Sequence, residues 1–429
     1  MLIIGAGPGG YETAVEAAKR GMEVTLISEG PLGGTCLNEG CIPTKTFCHY
    51  AELIEQNLKA GLDCKPSFAA ATERRQAVIE QLRRGVEMLL NGVQVVQGRA
   101  QFKDAKTVVC NDQEFTADKI IVATGSVSAS LPIPGAENCI TSKEILELRK
   151  VPESLCVIGG GVIGLEFASI FRSFGSEVTV LEYCPNILPR FDVDLAKRLK
   201  QSLSKRGINI EVQAQVTRID GNTVTYLKKD KEFTVQADKI LMAVGRRPNT
   251  EGLNLEAAGI DYTRKGITVN DRFETSVPGI YAVGDVTGGI MLAHAATYQG
   301  LHALNCICGQ TDSIRFDLIP AAVFTMPEVA TIGLTEEQCK EQELEVRCLK
   351  SFYRANGKAV SMDETDGYCK IIVASDGKIL GAHLMGAHAS DLIHEIAAVM
   401  NLNGNLEQLQ IVIHAHPTLS EVLQTALHN

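Results

Sequence analysis

Residues 2–29 read LIIGAGPGGYETAVEAAKRGMEVTLISE, and this stretch decides the first part of the fold. A short apolar run leads into the spacing Gly5-x-Gly7-x-x-Gly10, an alanine-rich helical pattern follows, and a second apolar run ends at Glu29. Strand, glycine turn, helix and strand in this order are typical of a dinucleotide-binding unit. The glycines let a pyrophosphate approach the start of the helix, and the acid bonds a ribose hydroxyl.

The same pattern occurs a second time at residues 155–182, which read LCVIGGGVIGLEFASIFRSFGSEVTVLE. The three glycines of this copy are Gly159, Gly161 and Gly164, and Glu182 is the acid at the end of its second strand. A duplicated dinucleotide-binding unit predicts that one chain holds two nucleotides.

The acid of the second unit indicates which nucleotide binds there. A carboxylate at Glu182 suits the free 2′-hydroxyl of NAD, whereas the 2′-phosphate of NADP requires a basic residue. Arg190 lies a few residues further on and keeps NADP open. The sequence therefore favours NAD.

A cysteine pair follows the first unit at once, in residues 33–45, which read GGTCLNEGCIPTK. Four residues separate Cys36 from Cys41, and Gly40 permits the tight bend that lets two sulfurs meet. A helical pattern follows, so Cys41 is expected near a helix N-terminus, where the helix dipole lowers the pKa of a thiol. A zinc half-site or two structural thiols are alternatives, but the sequence has no second close pair with finger-like spacing. Because the cysteine pair lies directly after the first dinucleotide-binding unit, we expect the dinucleotide bound there to be redox-active, which indicates a flavin.

Composition excludes several classes of protein. A net charge of −10 argues against a nucleic-acid binder, and no apolar run is long enough for a membrane span. The start, Met1 to Ile4, lacks the pattern of an export signal, so we expect a cytoplasmic protein whose thirteen cysteines are mostly reduced. Cys306 and Cys308 form a second close pair, which we expect to be structural because no electropositive setting is evident around it.

Three strand ends outside the glycine motifs carry candidate ligands. A β-branched strand ends at Ala123 and is followed by Thr124 and Gly125, and a similar strand ends at Gly245. Asp285 follows a further apolar strand and precedes a helix that begins at Ala293. A carboxylate there is expected to meet a ribityl hydroxyl or a bound phosphate water, and a helix N-cap is the alternative.

From Phe316 onward the pattern changes to antiparallel strands with two helices. Near the end stands His416, followed by Pro417 and, five positions after the histidine, by Glu421. A hydrogen bond from the ring to this acid would fix the tautomer of the histidine and raise its basicity. Taken alone, the pattern also fits a surface histidine beside a helix cap.

Over essentially its whole length the chain resembles the FAD-dependent pyridine nucleotide–disulfide oxidoreductases. The resemblance rests on motifs that occur in the order of that family: the two glycine motifs, Cys36 to Lys45, Ala123 to Ser126, Gly284-Asp285, and His416 to Glu421. Within the family the chain is most similar to the members that oxidise dihydrolipoamide with NAD⁺. Glutathione and trypanothione reductases are similar too, but they use NADPH and carry basic residues where this chain has Glu182.

The resemblance implies an α/β fold with two Rossmann-like domains, binding FAD and NAD, and a C-terminal α+β dimerisation domain. It implies an FAD domain at 1–144, an NAD domain at 145–264, a central segment at 265–317 that completes the FAD domain, and an interface domain at 318–429. It also implies a homodimer with shared active sites and lipoyl-bearing subunits of 2-oxo acid dehydrogenase or glycine cleavage complexes as partners, with neither nucleic acid nor membrane involved.

The resemblance also assigns residues to the cofactors. The residues that it implies for FAD are Gly5, Gly7, Gly10, Glu29, Gly34, Thr35, Thr124, Gly125, Asp285 and Ala293. Those that it implies for NAD are Gly159, Gly161, Gly164, Glu182 and Gly245.

For catalysis the resemblance implies that Cys36 meets the thiol substrate, that Cys41 lies against the flavin, and that His416 of the partner subunit, oriented by Glu421, takes the substrate proton. It further implies a pair between the remaining two catalytic residues, Lys45 and Glu166. Without the resemblance, the interpretation of Lys45 is a solvent-exposed charge on a helix. That of Glu166 is a buried acid that any nearby cation could pair with. Two other functions stay open: a reductase of another disulfide such as glutathione or of a metal ion, and a nucleotide-binding protein without catalysis.

Overall fold

The computed structural model describes residues 1–62 and 66–428. The helices are α1 (Pro8–Lys19), α2 (Gly34–Glu39), α3 (Cys41–Lys59), α4 (Phe68–Leu89), α5 (Ser142–Leu146), α6 (Val162–Phe174), α7 (Val193–Lys205), α8 (Ala293–Ile307), α9 (Glu336–Glu341), α10 (Gly357–Ser361), α11 (Ala389–Asn401), α12 (Leu406–Gln410) and α13 (Glu421–Leu427). The stretch 47–92, which the sequence predicts to be mostly helical, includes residues 63–65, which lie outside the described residues.

The strands are β1 (Leu2–Ile4), β2 (Thr25–Ser28), β3 (Gln94–Gln97), β4 (Gln101–Phe102), β5 (Thr107–Cys110), β6 (Gln113–Thr116), β7 (Ile120–Val122), β8 (Ser126–Ser128), β9 (Ser154–Ile158), β10 (Glu177–Glu182), β11 (Ile208–Val212), β12 (Gln215–Asp220), β13 (Thr223–Lys228), β14 (Lys231–Gln236), β15 (Lys239–Met242), β16 (Arg246–Pro248), β17 (Tyr262–Thr263), β18 (Gly266–Ile267), β19 (Ile280–Ala282), β20 (Ala321–Val323), β21 (Val329–Gly333), β22 (Val346–Phe352), β23 (Tyr368–Ala374) and β24 (Ile379–Met385).

The chain forms two compact units, each assembled from separate segments. Unit 1 contains Met1–Thr46, Thr72–Ala129 and Gly245–Ile314. Unit 2 contains Phe47–Ala71, Ser130–Val244 and Arg315–Asn429.

Unit 1 is built on a five-stranded parallel sheet in the order β19-β7-β1-β2-β3. Its central strands are fully buried, as their continuous apolar sequence requires for a sheet covered on both faces. The late strand β19 pairs with β7, so a segment far along the chain completes the sheet of the first dinucleotide-binding unit. The antiparallel pair β8–β16 adds a second connection between early and late segments.

Unit 2 contains two main sheets. The first is a four-stranded parallel sheet in the order β11-β10-β9-β15, with the three-stranded antiparallel sheet β12-β13-β14. The second is a five-stranded antiparallel sheet in the order β20-β21-β24-β23-β22, against which α11 and α13 pack. The predicted strand–turn–helix–strand order is therefore confirmed in both copies, and so is the change to antiparallel strands after Phe316. The expectation of two helices in this part was wrong, because the described residues after Phe316 form five, α9 to α13.

The glycine turns depend on the absence of side chains. An ideal Cβ on Gly10 would lie 1.8 Å from the carbonyl oxygen of Gly5, because the first turn of α1 crosses the end of β1. In the second copy, a Cβ on Gly164 would lie 2.0 Å from the oxygen of Gly159. The third glycine of each motif thus permits close packing of helix on strand, as the spacing predicts.

We expect Gly10→Ala to lower the thermal unfolding midpoint by about 5 °C or more, because overpacking against backbone cannot be relieved by a rotamer change. Differential scanning fluorimetry of the purified variant checks this. Gly85→Ala is the matched control, since Gly85 lies within α4 with open space around its Cβ position. Equal melting midpoints for the two variants would show that the turn tolerates a methyl group.

Candidate active site

The two cysteines of the motif lie at the junction of two consecutive helices in unit 1. Cys36 is in α2, and Cys41 is the first residue of α3, with Gly40 between the helices. The predicted position of Cys41 at a helix N-terminus is thus confirmed, and α3 begins four residues before Lys45. Gly33, the N-cap of α2, and Gly34, its first residue, have φ of 91° and 58°, a left-handed conformation that glycine adopts without strain.

The two thiol side chains interact directly. The hydrogen bond with Cys41, together with burial, raises the pKa of Cys36 far above its usual range, whereas the charge of Lys45 acts in the opposite direction. Cys36 is only partly exposed and Cys41 is exposed. In this dithiol pair Cys36 therefore retains its proton, and Cys41 presents its sulfur at the positive end of a 19-residue helix.

The cysteine segment contacts the first glycine turn. The amide of Gly33 donates to the carbonyl oxygen of Ala6 at 2.9 Å. An ideal Cβ on Gly34 would lie 2.6 Å from the Cα of Gly7, so this close approach requires that residue 34 has no side chain. Thr35, the next predicted ligand, is exposed at the start of α2. The predicted adjacency of the thiols and the first nucleotide turn is therefore confirmed within unit 1.

Both glycine turns have room for a nucleotide phosphate. Gly7 is the N-cap of α1 and Gly161 is the N-cap of α6, and no heavy atom lies within 4 Å of an ideal Cβ on either. Because the amides and the dipole of a helix N-terminus attract anions, this space fits a pyrophosphate. The residues present therefore fit a dinucleotide in each unit.

A second group of predicted ligands lies at the carboxyl end of β7. Thr124 donates through Oγ1 to the carbonyl oxygen of Asn249 at 2.7 Å, and the amide of Asn249 donates to Gly125 O at 2.9 Å. Asp285 stands in a single 3₁₀ turn after β19 and makes no helix-capping contact. The alternative interpretation of Asp285 as an N-cap is therefore wrong.

Asp285 is held by two residues that the sequence analysis did not select. Ser126 Oγ donates to Asp285 Oδ2 at 2.5 Å, and Arg246 donates to both Oγ and the carbonyl oxygen of Ser126 at 2.7 Å. Burial lowers the pKa of Arg246, although the charges of Asp285 and Cys41 oppose this. The guanidinium of Arg246 thus lies close enough to the cysteine pair for the charge of Cys41 to affect its pKa. The motif Ala123–Ser126 contained the signal for Ser126, but only the β8–β16 pairing brings Arg246 there.

The remaining predicted FAD ligands lie at ends of secondary structure elements in unit 1. Glu29 follows β2 directly and is exposed, and its carbonyl oxygen accepts from Gln97 Nε2 at 2.7 Å. Ala293 is the first residue of α8, where backbone amides are exposed to a ligand. Both positions are compatible with their predicted roles.

The acid of the second copy is oriented by backbone amides. Glu182 is buried at the end of β10, where Oε2 accepts from the amide of Gly160 at 2.6 Å and Oε1 accepts from the amide of Cys184 at 2.7 Å. Its carboxylate is thus held at the glycine turn of unit 2. Gly245, the fifth residue implied for NAD, belongs to unit 1, where its carbonyl oxygen accepts from the amide of Ala129.

The predicted hydrogen bond between His416 and Glu421 is confirmed in unit 2. His416 Nδ1 lies 2.9 Å from Glu421 Oε1, and the other carboxylate oxygen accepts from the amide of Thr418 at 2.7 Å. The amide of Thr418 and the imidazole together hold the pKa of Glu421 below its usual range. The His416 side chain is 79% exposed, which suits a group that acts on another molecule.

Lys45 belongs to unit 1 and Glu166 to unit 2, so their predicted pair stays a prediction. Glu166 is buried within α6, and its Oε1 accepts from the amide of Phe324 at 3.0 Å. Lys45 lies in α3 one helical turn after Cys41, close enough for its charge to lower the pKa of Cys36.

Within residues 1–62 and 66–428, no helix combines the length and the apolar character needed to cross a membrane. Within the same ranges, no three histidine, cysteine or acidic side chains form a group able to hold a metal ion.

Together, the parallel sheets, the two glycine turns and the cysteine pair define a class: an α/β oxidoreductase that couples nucleotides to thiol–disulfide exchange. Comparison with family models identifies the family. The model for pyridine nucleotide-disulphide oxidoreductases matches residues 1–300, and the model for the dimerisation domain of that family matches residues 319–427. The chain belongs to the pyridine nucleotide–disulphide oxidoreductase family.

Curated relatives extend over nearly the whole chain. It is 40% identical over 444 residues to the dihydrolipoyl dehydrogenase of Geobacillus stearothermophilus, covering 99% of this chain and 94% of the relative. It is also 40% identical over 446 residues to a dihydrolipoyl dehydrogenase of Bacillus subtilis (strain 168), covering 99% and 95%. Among solved structures, the HOCl-induced flavoprotein disulfide reductase RclA from Escherichia coli matches with a TM-score of 0.90 at 32% identity, covering 100% of this chain and 99% of that one.

These comparisons confirm several predictions. The fold class, the family and its C-terminal dimerisation domain are confirmed, and the chain is an oxidoreductase whose cofactors are FAD and NAD.

Proposed function

We propose that this protein oxidises dihydrolipoyl groups to lipoyl disulfides with NAD⁺, using FAD and a redox disulfide between Cys36 and Cys41. The observation that carries the proposal is the contact of these two thiols at the start of α3, against the first glycine turn. The relatives named dihydrolipoyl dehydrogenase support the choice of substrate.

The predicted ligand sets assign each cofactor to a place in the chain. FAD would be held by the glycine turn before α1, by Glu29, by the Gly34–Thr35 segment, and by residues at the ends of β7 and β19 and the start of α8. NAD would be held by the turn before α6, with Glu182 on a ribose hydroxyl and Gly245 nearby. When bound, FAD supplies a two-electron acceptor and NAD⁺ a hydride acceptor.

The thiol chemistry follows from the thiolate being the nucleophile. His416 of the partner subunit takes the proton of one substrate thiol, and the thiolate attacks the Cys36 sulfur of the disulfide. The bond between Cys36 and Cys41 breaks, and Cys41 leaves as a thiolate at the positive end of α3. The second substrate thiol then displaces Cys36, which takes up a proton, as its raised pKa favours.

Two charged residues complete the proposed site. Lys45, one helical turn after Cys41, is assigned to the flavin edge, and Glu166 is assigned to pair with it near the nicotinamide. Asp285, held by Ser126 and Arg246, is assigned to a ribityl hydroxyl.

We extend the proposal to the assembly. The protein forms a homodimer in which each active site receives His416 and Glu421 from the partner, with lipoyl-bearing subunits of 2-oxo acid dehydrogenase or glycine cleavage complexes as substrates. The four-domain division at 1–144, 145–264, 265–317 and 318–429 belongs to this proposal. So does a cytoplasmic location, where other thiols stay reduced while the pair cycles.

We expect NAD⁺ to be preferred over NADP⁺ by about 100-fold or more in kcat/KM, because a 2′-phosphate would meet the carboxylate of Glu182. Steady-state assays with dihydrolipoamide and each nucleotide measure this preference, and oxidised glutathione with NADH or NADPH serves as the competing substrate. Preferred reduction of glutathione disulfide by NADPH would refute both the substrate and the role of Glu182.

A second candidate function is the reduction of another disulfide or of a metal ion. RclA, which is similar in structure, is a flavoprotein disulfide reductase whose structure was also solved as a Cu(II) complex, with a TM-score of 0.89. NADH oxidation that depends on Cu(II) and exceeds dihydrolipoamide oxidation would favour this candidate.

A further inference from the structure

A second cluster of reactive groups lies at the C-terminal end of α8 in unit 1. His302 Nε2 is 3.7 Å from Cys306 Sγ, one helical turn further along. His302 Nδ1 is 2.9 Å from both carboxylate oxygens of Asp312. A thiol, an imidazole and a carboxylate therefore follow one another in hydrogen-bonding contact, which is the arrangement that activates a cysteine nucleophile.

The hydrogen bonds of His302 assign its tautomer. Asp312 can only accept, so Nδ1 carries the proton and Nε2 offers its lone pair to the thiol. Although burial opposes it, hydrogen bonds from Asn305 and His302 keep the pKa of Asp312 below its usual range. The ring is also fixed by an edge-to-face contact with Phe273 at 5.9 Å. The base is thus oriented toward Cys306.

Two guanidinium groups accompany the cysteines. Arg272 hydrogen-bonds to the Cys306 side chain and donates through Nη2 to its carbonyl oxygen at 3.3 Å, and the contact with the thiol raises the pKa of Arg272. Arg20 donates to the Glu16 carboxylate at 3.0 Å and to Asn305 Oδ1 at 2.8 Å, and it also hydrogen-bonds to the Cys308 side chain. The expectation that Cys306 and Cys308 lack an electropositive setting is therefore wrong.

The sequence did not show this setting because the cations come from elsewhere in the chain. Arg20 lies at the end of α1 and Arg272 precedes β19, while only His302 and Asp312 are close in sequence to the thiols. Cys306 is partly exposed and Cys308 exposed, so small molecules can reach the cluster. At 1.5 Å per residue, the cluster lies about 20 Å along α8 from Ala293, where the cofactor is assigned.

We propose that Cys306 is a modification site that reacts with small disulfides carrying carboxylates, of the oxidised glutathione type. His302 Nε2 takes the proton of the Cys306 thiol, and the thiolate attacks one sulfur of the small disulfide. The disulfide bond breaks, a mixed disulfide with Cys306 forms, and the leaving thiolate takes the proton back from His302. The small disulfide is the oxidant and Cys306 is oxidised, so the step needs no other reagent.

The charges select the reagent. Arg272, which contacts Cys306, attracts a carboxylate of an anionic disulfide, and Arg20, which pairs with Glu16, places a second guanidinium beside Cys308. Cys308 has a guanidinium partner, but the thiol in contact with His302 Nε2 is that of Cys306, at 3.7 Å. Cys306 is therefore the residue that reacts first.

The test uses the FAD-loaded enzyme with its Cys36–Cys41 pair oxidised, without pyridine nucleotide, and oxidised glutathione as the probe. Peptide mass spectrometry over time gives the rate at which each cysteine gains a glutathionyl group. We expect Cys306 to react about tenfold or more faster than Cys348, a partly exposed cysteine in β22. Equal rates for these two cysteines would overturn the proposal without the need for any variant.

Variants then show whether Cys306 reacts because His302 activates its thiol or only because the thiol is accessible to solvent. We expect His302→Gln to slow the modification of Cys306 about tenfold or more, and Cys308→Ser to leave it unchanged. Oxidation of dihydrolipoamide by His302→Gln serves as a check of folding and should match that of the parent protein. If His302→Gln folds and is modified as fast as the parent, His302 is not the base and the proposal fails. Asp312→Asn, with an intermediate loss of rate expected, provides the same test should His302→Gln not fold.

Discussion

Replacing Cys41 with serine is expected to reduce NAD⁺-dependent oxidation of dihydrolipoamide by about a thousandfold or more, while the protein retains FAD. A serine cannot form the disulfide that accepts electrons from the substrate, and the hydroxyl does not ionise at neutral pH. FAD should stay bound because its assigned ligands lie on the glycine turn and the strand ends. Steady-state turnover and the visible flavin absorbance of the gel-filtered variant measure the two properties.

Cys36→Ser is expected to lose the same activity, because either substitution removes the disulfide. Cys348→Ser is the matched control, since Cys348 is partly exposed and lies in β22 of unit 2. Turnover at the parental rate in either active-site variant would show that the Cys36–Cys41 pair has no redox role in this reaction. Loss of both turnover and FAD would show instead that the cysteine segment is needed for cofactor binding.

We expect His416→Gln to slow dihydrolipoamide oxidation by about a hundredfold or more, because a glutamine can retain a hydrogen bond to Glu421 but cannot take a proton. NADH-dependent reduction of an artificial electron acceptor should be little affected, because no substrate thiol needs a base in that reaction. The comparison of the two steady-state assays measures the effect. His394→Gln is the matched control, since His394 is exposed on α11.

Equal losses in both assays would assign His416 a structural role.

A mixed dimer tests whether each active site is shared between the two subunits. In a heterodimer of one Cys41→Ser and one His416→Gln subunit, sharing restores one complete site, so about half of the parental activity per dimer is expected. A heterodimer with as little activity as either variant alone would show that His416 acts within its own subunit.

Much of the fold is readable from local patterns. Residues 2–29 and 155–182 each contain a buried strand, a glycine turn and a helix whose third glycine must pack on the strand, and these requirements act between neighbours in sequence. The hydrogen bond of His416 to Glu421 was predictable for the same reason, since five positions separate the two residues. Local patterns also placed Cys41 near a helix N-terminus, and α3 begins at this residue, directly after Gly40.

Contacts between distant segments were not readable. Arg246 reaches Ser126, and through it Asp285, only because β16 pairs with β8. Asp285 itself was found as a candidate, but its second interpretation as a helix cap could be rejected only from its surroundings.

By itself the sequence determined the two dinucleotide-binding units, the cysteine pair beside the first, the acid at the end of the second, and the family. These features rest on short-range stereochemistry, in which a residue type and its spacing suffice. Only the tertiary structure decided which charges surround each thiol. Arg246 lies near Cys41, and Arg20 and Arg272 contact Cys308 and Cys306, because the electrostatic setting of a thiol depends on distance in space, which helix packing and strand pairing set independently of distance along the chain.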